Sequence, residues 1–177
     1  MIGPFPSDEF FSLHERLVLT PGPSHGEGPR RDLLRQYLAE RGLPAEVDGA
    51  GNLLVRLGPT GPWSETAVLD AHLDVVERGH ALDIQRTAEH LQGLGVGDNQ
   101  TAVAMLALAL LRLQAAPTPL RRPLLGLFSV GEEGQTEFGD LLPSDRLPPE
   151  EEVEIALTEQ SLRRAVADLE ETGMRRK

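Results

Sequence analysis

No cysteine occurs in the 177 residues. That excludes disulfides, thiolate nucleophiles and thiolate zinc sites, and it leaves the redox compartment unfixed. Nor is there an uninterrupted apolar run of about 18 residues, the length that crosses a bilayer. The longest such stretch, Ala102 to Leu111, reads as a buried helix, and no membrane partner is expected. Basic residues are outnumbered, 17 against 28 acids, for a net charge of −11. A surface of that sign repels phosphate backbones, which argues against a nucleic-acid partner. The opening residues Met1-Ile2-Gly3-Pro4 carry neither the basic segment nor the apolar core of a secretory signal, so a cytoplasmic protein is the expectation.

What is present is the composition of a globular protein, 40% hydrophobic and 25% charged, in a length that suits one domain with a real core. Ser7-Asp8-Glu9 ahead of Phe10, Phe11, His14, Leu17 and Val18 predicts an amphipathic helix capped by Ser7. Pro29 opens a second helix, with Leu33, Leu34, Tyr37 and Leu38 on one face and Gly42 just past its end. Strands are expected at Leu53 to Leu57 and Thr66 to Ala71, split by Gly58-Pro59-Thr60-Gly61-Pro62. The second is nearly all apolar, as a strand covered on both faces would be. Residues 81–92 read as a hairpin, with a helical turn over Gln85 to His90 as the alternative. A helix over Asn99 to Leu113 and a buried strand over Leu124 to Val130 follow. Further on, a short helix at 136–142, a strand at Val153 to Thr158 and an amphipathic helix at Ser161 to Thr172 are expected. Strands alternating with helices imply an α/β fold, a three-layer α/β/α sandwich on a mostly parallel sheet.

Three segments carry chemistry: Ala71-His72-Leu73-Asp74-Val75-Val76, Gly95-Val96-Gly97-Asp98-Asn99 and Ser129-Val130-Gly131-Glu132-Glu133-Gly134. His72 and Asp74, Glu132 and Glu133 fall at the carboxyl ends of strands, where ligands gather in such sheets. Residues i and i+2 share a strand face. Asp74 can therefore hold the second nitrogen of His72 and leave the other for a metal ion. The other histidines, His14, His25, His80 and His90, have no such context and are expected to be solvated. The glycines around Asp98 do not meet the dinucleotide-binding fingerprint, which needs a third glycine where Asp98 or Gln100 stands. They suit a backbone crowded against a site. Asp98 can cap the following helix and bridge two metal ions at once, because a carboxylate has several lone pairs.

In this order the segments resemble the zinc exopeptidase and deacylase family of aminoacylase, acetylornithine deacetylase, succinyl-diaminopimelate desuccinylase and peptidase T. The resemblance extends back through Leu19-Thr20-Pro21-Gly22-Pro23-Ser24 and Glu46-Val47-Asp48-Gly49-Ala50-Gly51-Asn52-Leu53, holds well over about residues 8–135 and is vague over 136–177. It implies His72, Asp98 and Glu133 as metal ligands, with Glu159 as a further candidate at the end of Ile155-Ala156-Leu157-Thr158. Asp74 and Glu132 become the catalytic pair, Asp74 orienting His72 and Glu132 acting as general base. The cofactor implied is zinc, one or two ions, with cobalt or manganese as substitutes, and the substrate a peptide or an N-acyl amino acid. The resemblance also implies a cis peptide bond between Asp98 and Asn99.

The family pattern continues with a late histidine ligand and an inserted lid or dimerisation domain, and no histidine follows His90 here. The expectation is thus one truncated catalytic domain over 1–177. Three readings stand: a metal-dependent amide hydrolase by descent; a non-catalytic metal-binding remnant, homo-oligomeric or completed by a C-terminal chain as in a split enzyme; and an α/β protein whose motif residues are structural. Scattered His72, Asp98 and Glu133 side chains would favour the third.

Overall fold

A computed structural model describes residues 6–76, 82–87 and 90–133. The elements in order are helices α1 (Ser7–Leu19) and α2 (Gly28–Ala39), strands β1 (Glu46–Val47), β2 (Leu53–Leu57) and β3 (Ala67–His72), the two-residue strands β4 (Gln85–Arg86) and β5 (Leu91–Gln92), helix α3 (Ala102–Gln114) and strand β6 (Leu124–Ser129). The elements expected at 136–142, 153–158 and 161–172, together with Glu159 and His80, lie outside the described residues. No helix among the described residues is long and apolar enough to cross a membrane.

Helix α1 buries Leu13, His14, Leu17 and Val18, the spacing of one helical face. Its cap differs from expectation. The Pro6 carbonyl already takes the Phe10 N–H at 2.9 Å, so the helical bonding begins one residue early and Ser7 caps nothing. Helix α2 opens at Gly28, one residue ahead of the expected Pro29, and buries Leu34, Tyr37 and Leu38. The hairpin reading of 81–92 holds: β4 and β5 pair antiparallel, Gln85 opposite Gln92.

The main sheet runs β1-β2-β6-β3. The β3–β6 pair is parallel, Ala67 opposite Leu124 through His72 opposite Ser129, whereas β2 pairs antiparallel with both β1 and β6. A parallel pair needs a long crossover. Helix α3 supplies it between β3 and β6, and so both strands end on the same side of the molecule. One face of the sheet (Leu53, Val55, Ala71, Leu124, Phe128) joins a single core with buried residues from all three helices. Among the described residues helices cover that face alone.

Strand β3 is less covered than its composition suggests. Leu69 is 43% exposed, because β3 stands at the sheet edge with β6 as its one neighbour among the described residues. Strand β6 is buried along most of its length and admits α3 closely at Gly126, where an added Cβ would overlap the Leu110 side chain. Leu110 is itself fully buried and has little room to yield. Gly126→Val should therefore destabilise the fold by about 1–3 kcal/mol through overpacking. Chemical denaturation of the variant checks this, and an unchanged midpoint would mean that α3 is free to move away from the sheet.

Candidate metal centre

The parallel register places His72 beside Ser129, so the chain leaving β3 and the chain leaving β6 run side by side. Leu73 N–H continues the ladder to the Ser129 carbonyl at 2.8 Å. Beyond this point each successive backbone N–H of the β6 exit is captured by a side-chain oxygen. Val130 N–H donates to Asn52 Oδ1 (3.0 Å) and Gly131 N–H to Glu27 Oε1 (2.8 Å). Glu132 N–H and Glu133 N–H donate to Asp74 Oδ1 (3.1 Å) and Oδ2 (2.9 Å). This turn, with Gly131 at a φ of 72°, lets two adjacent glutamates approach one cavity, which an extended strand would forbid.

Asp74 is fully buried and accepts a third bond, from the Ser24 hydroxyl at 2.8 Å. Its Oδ1 also faces His72 Nδ1 at 3.4 Å, longer than the roughly 2.7–3.2 Å of a formed N–H···O bond. Among the described residues nothing else partners that nitrogen, which is buried. The opposite nitrogen, His72 Nε2, lies 3.1 Å from Asp98 Oδ1 and 3.8 Å from Glu132 Oε2. One ligand atom each from His72, Glu132 and Glu133 fall within 4.8 Å of one another.

Asp98 comes from a wide helical turn, Val96–Thr101, that precedes α3. The regular helix was expected from Asn99 and begins at Ala102, because Asp98 (φ −114°, ψ 97°) and Asn99 (φ −131°, ψ 18°) leave helical geometry. Gly95 starts the turn at a φ of 74° and lies so close to Val75 that a Cβ would collide with it, so glycine is required on both counts. The peptide bond between Asp98 and Asn99 is cis, as the family resemblance implies. The Asp98 side chain is 79% exposed.

One imidazole nitrogen ringed by carboxylate oxygens is the donor set of a divalent ion of intermediate softness. A tetrahedral zinc ion keeps its ligand atoms about 3.4 Å apart. The ligand atoms of His72, Glu132 and Glu133 lie within 4.8 Å of one another, and the chemistry of this donor set fits a metal ion. His72, Asp98, Glu132 and Glu133 are thus brought together with Asp74 behind them, and Glu159 lies outside the described residues. The scattered arrangement that would favour purely structural roles is not what is found. His25 and His90 are exposed as expected, whereas His14 corrects its expectation. It is buried, its Nε2 set 2.9 Å from the Val96 carbonyl and 3.2 Å from Thr101 Oγ1, and its ring stacked on Phe10. Sequence reading passed over the supports Ser24, Glu27 and Asn52. Ser24 and Asn52 stand within stretches that carry the resemblance, and Glu27 follows shortly after.

Comparison with solved structures follows this geometry. Aminopeptidase PepT from Bacillus cereus superposes with a TM-score of 0.63 at 20% identity, covering 82% of this chain and 42% of that one. A tripeptidase from Staphylococcus aureus gives 0.62 at 17%, with the same coverage. An M20 family metallo-carboxypeptidase from Sulfolobus solfataricus gives 0.57 at 17%, over 73% of this chain and 32% of that one. This is the M20 peptidase fold. The chain spans less than half the length of these M20 structures. No protein-family model and no curated protein matches it by sequence.

The supports of this candidate centre are testable. Asp74→Ala would leave the Ser24 hydroxyl and the Glu132 and Glu133 N–H groups without their acceptor, at about 1–3 kcal/mol for each group that stays buried. The expected result is a large drop in unfolding midpoint with loss of metal affinity; Ser24→Ala, which breaks one bond, should cost about 1 kcal/mol.

Asp48 provides a pH signature. Burial pushes its carboxyl up, but the Asn52 side chain and the Asn52, Ala50 and Gly51 N–H groups outweigh burial and hold it below its ordinary 3.8. A carboxyl lowered on folding stabilises the folded state above its unfolded value and loses that contribution as pH falls through the folded one. The stability gap between wild type and Asp48→Asn should thus be full near neutrality and shrink as pH drops below about 4. Thermal unfolding across pH reads it, and a gap that widens in acid would contradict the assignment.

Proposed function

We propose that this chain carries the metal centre of a metal-dependent hydrolase acting on peptide or N-acyl amide bonds. The observation that carries the reading is the environment of His72: Nδ1 turned to a buried carboxylate, Nε2 turned to Asp98 and Glu132, and Glu133 gathered into the same cluster. The fold shared with peptidases supports the substrate class. In this reading His72 and Asp98 would hold one zinc-type ion, with Glu159 as a further ligand, and Asp98 and Glu133 would hold a second. The chemistry such ions would supply is Lewis acidity toward a water molecule and the scissile carbonyl.

The chain's own residues then divide the work. Asp74 fixes the tautomer and rotation of His72 from behind, so that Nε2 is presented as a lone pair. Glu132 is assigned as base because the family resemblance implies it; its side chain is half exposed, and its backbone is clamped by Asp74. Its carboxylate takes a proton from the attacking water and returns it to the departing amine nitrogen as the C–N bond breaks. Water is consumed, and a carboxylate and an amine are formed.

The test is hydrolysis of dipeptides, tripeptides and N-acyl amino acids by the chain loaded with zinc, cobalt or manganese. Glu132→Gln should lower the rate by about 10²–10⁴-fold with metal content unchanged. His72→Ala should lose the metal itself. Metal uptake without hydrolysis by the wild type would remove catalysis by this chain alone and leave metal binding, the outcome that calls for a complementing chain. Absence of metal uptake would sink the whole reading.

A further inference from the structure

The turn that carries Asp98 has no strand ladder to hold it, yet it must keep a carboxylate 3.1 Å from His72. Two buried polar side chains brace it. Gln100, fully buried, donates from Nε2 to the Leu73 carbonyl at 3.1 Å. Leu73 lies between His72 and Asp74, so this bond ties the turn bearing Asp98 directly to the strand end bearing His72. The amide orientation is dictated, since the flipped form would set oxygen against oxygen. Its Oε1 is then buried without a donor among the described residues. On the other flank, His14 Nε2 meets the Val96 carbonyl, which also takes the Thr101 hydroxyl hydrogen at 2.6 Å.

A buried amide oxygen left unpaired costs about 1–3 kcal/mol. Stability is therefore a poor account of Gln100. Nor is the amide needed to satisfy Leu73, whose carbonyl also accepts from the fully buried Arg30 guanidinium. We propose that Gln100 is a positioning residue for the metal centre: its amide fixes the separation of Asp98 from His72 and thereby sets cation affinity, with His14 bracing the far end of the same turn. This rests on the metal-centre reading above.

The two accounts of Gln100 predict different outcomes for Gln100→Met, which keeps side-chain length and discards both polar atoms. Under the positioning account the metal-free unfolding midpoint stays level or rises, because an unpaired acceptor is removed and Leu73 keeps Arg30. Zinc and cobalt affinity falls by about 10–100-fold, as for other groups that orient ligands, and the visible absorption of the cobalt-loaded protein changes. His14→Phe, which keeps the ring stacked on Phe10, should weaken affinity in the same direction. A variant that unfolds, or that loses stability while binding cobalt with wild-type affinity and spectrum, makes Gln100 structural and overturns the proposal. Wild type and His72→Ala are titrated with cobalt first. If wild type takes up no cobalt the metal-centre reading itself fails; if it binds and Gln100→Met binds equally, the positioning role alone fails.

Discussion

The centre depends on one buried carboxylate. Asp74 has no exposed surface, and its two oxygens gather the Ser24 hydroxyl, the N–H groups of Glu132 and Glu133 and the inner edge of His72. A buried anion survives only when hydrogen bonds replace its lost water. Here those bonds come from the loop after α1 and the exit of β6, onto a carboxylate carried by the exit of β3. Solvating the carboxylate and assembling the site are consequently the same event: each donor that makes the burial tolerable also fixes a functional group. Glu132 and Glu133 owe their shared direction to it, since their backbone is held by its oxygens rather than by a strand partner.

The centre divides into a stiff part and a compliant part. His72 ends a strand and is backed by Asp74, and the Glu132–Glu133 backbone is clamped by the same Asp74, with Val130 and Gly131 ahead of it held by Asn52 and Glu27. Asp98 projects from a turn and is 79% exposed. Carboxylates gathered around one imidazole in a chain of net charge −11 repel one another, and exposure to water is what makes that repulsion tolerable at Asp98. A divalent ion reverses the sign of the problem, turning mutual repulsion into shared attraction. The compliant carboxylate is the one free to close on such an ion.

Much of this was legible because local chemistry and the ends of elements coincide. An apolar run followed by His-x-Asp or Glu-Glu announces a strand end with candidate ligands; β3 stops at His72 and β6 at Ser129, three residues before Glu132. Strand β2 was read to its residue, and α2 and the β4–β5 hairpin closely. The misreadings share a cause: they concern what packs against a residue. Exposure of Leu69 depends on what stands beside β3. His14 reads as a polar residue on a helix until the turn before α3 lies against it. Ser7 is a good cap whose role was taken by the Pro6 carbonyl. The start of α3 was placed at Asn99 because propensity favours helix throughout, whereas the chain departs from it at Asp98 to meet His72.

Sequence reading also treated the motif residues as the site and the remainder as scaffold, and the hydrogen bonds do not respect that division. Ser24, Glu27, Asn52 and Gln100 carry no metal-seeking signal, being common polar residues in loops and at a helix start. Each nonetheless holds a backbone or side-chain atom within a few residues of a candidate ligand, from segments far apart in the chain. The order of elements explains why. Parallel pairing of β3 with β6 requires a crossover, and after the β4–β5 hairpin that crossover enters α3 through the turn bearing Asp98. The connection that makes the two strand ends neighbours therefore also delivers the third segment to them. The candidate site assembled this way is a product of the β3–α3–β6 path itself, and the loops around α2 and before β2 serve to keep that path from relaxing.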